Sequence, residues 1–77
     1  MQVRILLFGQ LTDITGASEI LLDDVPDRDH LIETLNQKYP GLAGSKYAVA
    51  IDRKVISGNT PLRDGSTVAL LPPFSGG

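Results

Sequence analysis

Apolar residues fill nearly every position of Val3–Phe8 in the opening MQVRILLFGQ, the pattern of a central strand with both faces at least partly covered. The stretch GQLTDITG interrupts it, with turn formers at both ends and room for one short helical turn. Ser18–Leu22 resumes β character until the polar break DDVPDRD, which predicts a hairpin with a long loop. From Asp27 or Asp29, both N-cap residue types, Leu31, Ile32, Leu35 and Tyr39 fall on one helical face, and Pro40-Gly41 ends the helix. Tyr47–Ile51 predicts the next strand, DRK a turn or bend, and Val55-Ile56 a short return strand stopped by SGNTP. An Asp64-Gly65 tight turn, with glycine at the left-handed position, then delivers Ser66–Leu71 as the last strand.

The order is ββαβββ. A single helix crossing between strands, with the right-handed preference of such crossovers, gives one mixed sheet with the helix on one face. That is the α+β, β-grasp (ubiquitin-like) outline, with residues 1–71 as a single domain and residues 72–77 as an extended C-terminal Gly-Gly tail. Alternation then sorts each strand into helix-facing and outward-facing sets. Arg4 is hard to bury, so Val3, Ile5 and Leu7 face the helix while Leu6 and Phe8 point outward. Val68 and Leu70 suit the core, leaving Ala69 and Leu71 outside. With Val55 added, the uncovered face carries Leu6, Phe8, Val55 and Leu71, an apolar patch of the kind that marks a partner surface. Isolated surface apolar residues need no explanation, however, and a one-residue slip would exchange the two sets.

Composition narrows the chemistry. The 77 residues are 42% hydrophobic and 21% charged with a net charge of −2, an ordinary globular balance in a chain too short for a second domain. The seven Lys and Arg are scattered, so no basic stripe offers itself to nucleic acid. No run reaches the roughly 20 apolar residues that span a bilayer, and the opening reads as a strand and not a signal peptide, which places the protein in the cytoplasm without membrane contact. The absence of cysteine excludes disulfides, thiolate metal sites and a persulfide relay within the chain. His30, the single histidine, has no second ligand type beside it and reads as a helix-surface residue. Asp23-Asp24 reads as a solvated loop pair, no phosphate-binding glycine motif is present, and Ser75 has no base near it in sequence. No constellation for autonomous catalysis, bound cofactor or metal emerges.

The distinctive group that remains is the carboxylate of Gly77. It is an anion at neutral pH and a poor electrophile, so it needs activation before any acyl chemistry. Gly76 and Gly77 carry no side chain, which lets the backbone enter a narrow channel and a nucleophile reach the last carbonyl. Pro72 and Pro73 hold the exit extended, and residues 72–77 reach roughly 20 Å beyond the sheet at about 3.1 to 3.5 Å per residue.

These residues resemble a known family. NTPLRDGSTVALLPPFSGG, with FGQLTDITG near the start, is similar to the small subunit of molybdopterin synthase, the MoaD-type ubiquitin-like sulfur carriers. The likeness is strongest over the last eighteen or so residues and weak through the helix. It implies that a MoeB-type adenylating enzyme consumes ATP to convert Gly77 to an acyl-adenylate, and that sulfur displaces AMP to leave a thiocarboxylate. It further implies that the tail enters a MoaE-type large subunit in a hetero-oligomer and gives sulfur to cyclic pyranopterin monophosphate, building the dithiolene of molybdopterin. This chain then supplies sulfur as a non-catalytic subunit of a sulfurtransferase. On the family's pattern Gly77 bears the sulfur, Gly76 is the slender residue before it, and Phe8, Val55, Leu71 and Phe74 contact the partner, with Pro72, Pro73 and Ser75 of the inserted tail. The family often has a bulkier aromatic residue near Leu71. Other readings of the same tail are a sulfur carrier for thiamine thiazole or a tungsten cofactor, and a ubiquitin-like modifier conjugated through Gly77. An adaptor that uses the apolar patch alone has no need of the glycines.

Overall fold

The computed structural model describes residues 1–72. Among them, β1 (Gln2–Leu7), β2 (Glu19–Asp23), β3 (Ala48–Ile51), β4 (Lys54–Ile56) and β5 (Thr67–Leu71) form one sheet in the order β2-β1-β5-β3-β4. The central pair β1 and β5 is parallel and every other neighbouring pair is antiparallel. Three helices complete the fold: α1 (Gln10–Thr15), α2 (Arg28–Lys38) and α3 (Pro40–Ala43). This is the β-grasp arrangement expected from the order of elements.

Alternation decides which residues make the core. Val3, Ile5 and Leu7 of β1, Ile20 and Leu22 of β2, Val49 and Ile51 of β3, and Val68 and Leu70 of β5 are all buried, and they cluster with Leu31 and Leu35 of α2. The spacing of four between those two leucines puts them one above the other on the buried stripe, with Ile32 and Tyr39 partly buried beside them. Each fully buried aliphatic side chain stabilises the fold by about 1.5 to 3 kcal/mol relative to exposure.

Polar residues fix where elements start and stop. Asp27 is the N-cap of α2, its Oδ1 accepting the His30 backbone N–H at 2.9 Å. Residues 59–62 are clasped to that helix start: Arg28 N–H donates to the Thr60 carbonyl, Asp29 N–H to Asn59 Oδ1, and Leu62 N–H to the Pro26 carbonyl. Gly65 takes φ +83°, as its place in the Asp64-Gly65 turn requires, and its N–H donates to the Gln2 carbonyl at 2.8 Å. The turn is therefore tied to the start of β1 as well as opening the path to β5.

Strand boundaries differ by one residue from the sequence expectation, and α3 is additional to it. β1 ends at Leu7 and not at Phe8, because the Phe8 carbonyl accepts the Leu11 N–H at the entry to α1, so it is spent on a turn instead of the ladder. Pro40-Gly41 ends α2 but also opens α3, since proline at the first turn of a helix gives up an N–H that has no partner there anyway. α3 buries Leu42, and a Cβ on Gly41 would lie 2.9 Å from Ile14 Cγ2 of α1.

Candidate functional site

The helices cover one face of the sheet and leave the other open. Register places the open-face residues in rows that run across the strands. Leu6 pairs with Ala69, Ala69 with Ala50, and Ala50 with Val55, giving one apolar row over four strands. In the row beyond it Leu71 pairs with Ala48, at the end of the sheet where the chain leaves β5. On the other side Arg4 pairs with Thr67, and Asp52 in the β3–β4 turn joins Thr67 through two hydrogen bonds, one from Asp52 N–H to the Thr67 carbonyl and one from Thr67 N–H to the Asp52 side-chain Oδ1. The open face thus has an apolar half at the exit of the tail and a polar half away from it.

Large apolar side chains stand exposed on or beside this face: Leu21 at 55%, Val55 at 69% and Phe8 at 45%. Phe8 follows β1 directly, at the same end of the sheet as Leu71. Leu21 was not among the expected patch residues, yet its signal was present in Glu19-Ile20-Leu21-Leu22-Asp23, where it shares parity with two carboxylates. Between the larger side chains lies an open groove of about 440 Å³ lined by Arg4, Leu6, Ala50, Asp52, Arg53, Thr67 and Ala69. Its floor follows from Ala50 facing Ala69: two small residues opposite each other leave a depression between Leu6 and Val55.

The start of the tail is positioned by Gly9. That residue has φ +59° and ψ −138°, a conformation open only to glycine, and a Cβ there would lie 2.9 Å from Pro72 Cγ. Pro72 therefore rests against bare backbone as it leaves β5. Sequence reasoning gave Pro72 its stiffness but missed this seat, since the residues in contact lie 63 positions apart (72 − 9). Pro73, Phe74, Ser75, Gly76 and Gly77, expected to form the inserted tail, lie outside the described residues.

His30 stands on α2, away from the open face. Its Nδ1 lies 2.6 Å from Asp27 Oδ1. The Asp27 carboxyl is held below its ordinary range by the hydrogen bond from the His30 backbone N–H and then by the contact with the ring. The His30 ring is shifted upward, first by its hydrogen bond to Asp27 and then by that residue's charge. The pair serves the helix cap. Among the described residues no group of three His, Cys, Asp or Glu lies close enough to hold a metal ion, and no helix is long and apolar enough to cross a membrane.

A small β-grasp domain with an open, partly apolar sheet face beside the exit of its C-terminal segment is the class that fold and site define. Residues 5–77 match the model of the ThiS family. The chain belongs to that family, and the match runs through Gly76 and Gly77. It is 30% identical over 82 residues to the molybdopterin synthase sulfur carrier subunit of Mycobacterium tuberculosis, covering 100% of this chain and 99% of that one. Among solved structures it is similar to a chain in a complex of subunits 1 and 2 of molybdopterin-converting factor from Helicobacter pylori, with a TM-score of 0.75, 29% identity and all of both chains covered. It is also similar to small archaeal modifier protein 1 from Methanosarcina acetivorans, with a TM-score of 0.85, 26% identity, and 99% of this chain and 96% of that one covered.

Proposed function

We propose that this chain is the sulfur carrier subunit of a molybdopterin synthase, with Gly77 as the residue that bears the sulfur. The observation that carries the reading is the family match through residue 77, together with full-length similarity to a sulfur carrier subunit. The Gly77 carboxylate attacks the α-phosphate of ATP in a MoeB-type adenylating enzyme, forming an acyl-adenylate as pyrophosphate leaves. Sulfide, or a donor persulfide whose S–S bond a second thiol then reduces, attacks the acyl carbon as AMP departs, leaving a thiocarboxylate. Gly76 keeps the approach to that carbon unobstructed.

Leu6, Phe8, Val55 and Leu71 form the docking face for a MoaE-type large subunit, and Pro72 to Ser75 lead the glycines into it. A partly exposed apolar face beside the exit supports this reading, as does the similarity to a chain seen together with a second subunit. The carrier holds no cofactor of its own, ATP being consumed by the activating enzyme, and it works in the cytoplasm. The likeness to a small archaeal modifier protein favours one second reading, conjugation through Gly77 to other proteins.

Intact mass measurement after incubation with the adenylating enzyme, ATP and a sulfide source tests the carrier chemistry. A gain equal to the exchange of one oxygen for sulfur is expected in the full chain and not in a chain lacking Gly77. No gain, with the same enzyme active on another carrier, overturns the carrier reading. High-mass conjugates that survive denaturation would establish the second.

A further inference from the structure

The polar end of the groove holds a residue that local backbone geometry does not explain. Ile51 pairs with Lys54, so Asp52 and Arg53 alone make the β3–β4 turn, with φ +48° and +72°. A two-residue hairpin turn with both central residues at positive φ favours Asn or Asp first and glycine second. Asp52 fits that preference. Arg53 occupies the glycine position, in a left-handed conformation that its Cβ disfavours.

What Arg53 contributes is its side chain at the groove. The turn is fixed to β5 by the two contacts between Asp52 and Thr67, of 2.8 and 3.0 Å, so Arg53 is held at the groove's margin and does not swing with a loose loop. Arg4, the other arginine of the groove, is already paired with Glu19. No carboxylate pairs with Arg53 among the described residues. The groove therefore combines an apolar floor of Ala50 and Ala69, the apolar side chain of Leu6 beside it, and one unmatched guanidinium at its end. A guanidinium presents a planar fork of donors that matches a carboxylate, and the floor next to it accepts an apolar side chain.

We propose that the Arg53 end of this groove receives an acidic side chain of the large subunit, an aspartate or glutamate set beside a large apolar residue. This rests on the docking face proposed above and adds a charge-selective element to it. The complementarity is local, since the chain as a whole is negatively charged and does not attract an acidic surface by its net field.

The test is the Kd of the full chain for its cognate large subunit, by calorimetry at low and high salt, for wild type and for Arg53→Gly, Arg53→Glu and Val55→Asp. Arg53→Gly removes the charge while giving the turn the residue its geometry favours, so its thermal midpoint should equal or exceed that of wild type. Its Kd should weaken about tenfold, with a flatter salt dependence, and Arg53→Glu should weaken binding further. Wild-type binding by both Arg53 variants, alongside loss of binding in Val55→Asp, overturns the carboxylate site and leaves the docking face standing. Wild-type binding by all three overturns the docking face with it.

Discussion

The two faces of this sheet are built from the same strands and carry similar residues, yet they have opposite fates. On the covered face Val3, Ile5, Val68 and Leu70 are wholly withdrawn from solvent beneath α2. On the open face, one residue away along the same strands, Leu6, Ala69 and Leu71 stay partly accessible, and Val55 beyond them is 69% exposed. Nothing in the side chains of Ile5 and Leu6 makes one a core residue and the other a surface residue. The difference is the helix, whose own apolar stripe is wide enough for one face only. What remains on the open side is apolar area that a short domain leaves uncovered, and it lies beside the point where the chain leaves β5.

This contrast can be broken most directly in the core. Leu70→Ala should lower stability by about 3 kcal/mol, read as a fall in the urea midpoint at unchanged slope, because the cavity left under α2 cannot collapse fully. A loss below about 1 kcal/mol would mean that the covered face is loosely packed. At the seam where β1 gives way to α1, Gly9→Ala should cost about 2 kcal/mol, since it combines a conformation reserved for glycine with a contact against Pro72. Adding Pro72→Ala to that variant should recover part of the loss by removing the contact. Recovery of nothing would show that backbone strain alone accounts for the cost.

On the open face, Val55→Ala should change stability by no more than about 0.5 kcal/mol in the same denaturation experiment, as expected for a side chain already in water. The smallest effect concerns the helix cap, and its sign follows from the two shifts. The His30 ring, raised above 6.5, contributes stability that is complete below pH 6.5 and fades as pH rises through its raised folded value. The Asp27 carboxyl, lowered below 3.8, contributes stability that is complete above pH 3.8 and fades as pH falls through its depressed folded value. Thermal midpoints of wild type and His30→Gln should therefore differ most between pH 3.8 and 6.5 and converge outside that window. A difference that does not vary with pH would remove the ion pair from the account.

Much of this was legible in the chain. Parity about Arg4 sorted β1 correctly, Asp27 marked the start of α2, and Asp64-Gly65 marked the turn into β5. Phe8 was misread at the end of β1, and α3 after Pro40 was not foreseen, because the deciding partners there, the N–H of Leu11 and the packing of α3 on Ile14, belong to other segments. The groove was missed because alanine carries little hydrophobic signal. Its importance comes from Ala50 facing Ala69, which no reading of either strand alone reveals.

The sequence by itself determined which residues of each strand and helix share a face, where α2 begins, and which turn needs glycine. Each of these is a local matter of backbone period, capping geometry or side-chain size. Tertiary structure alone decided that Leu6, Ala69, Ala50 and Val55 form one row, that Pro72 rests on Gly9, and that Arg53 stands at the end of a groove. Those depend on the register of β1 against β5, strands about 60 residues apart in sequence, and register is fixed only when the whole apolar set is buried together.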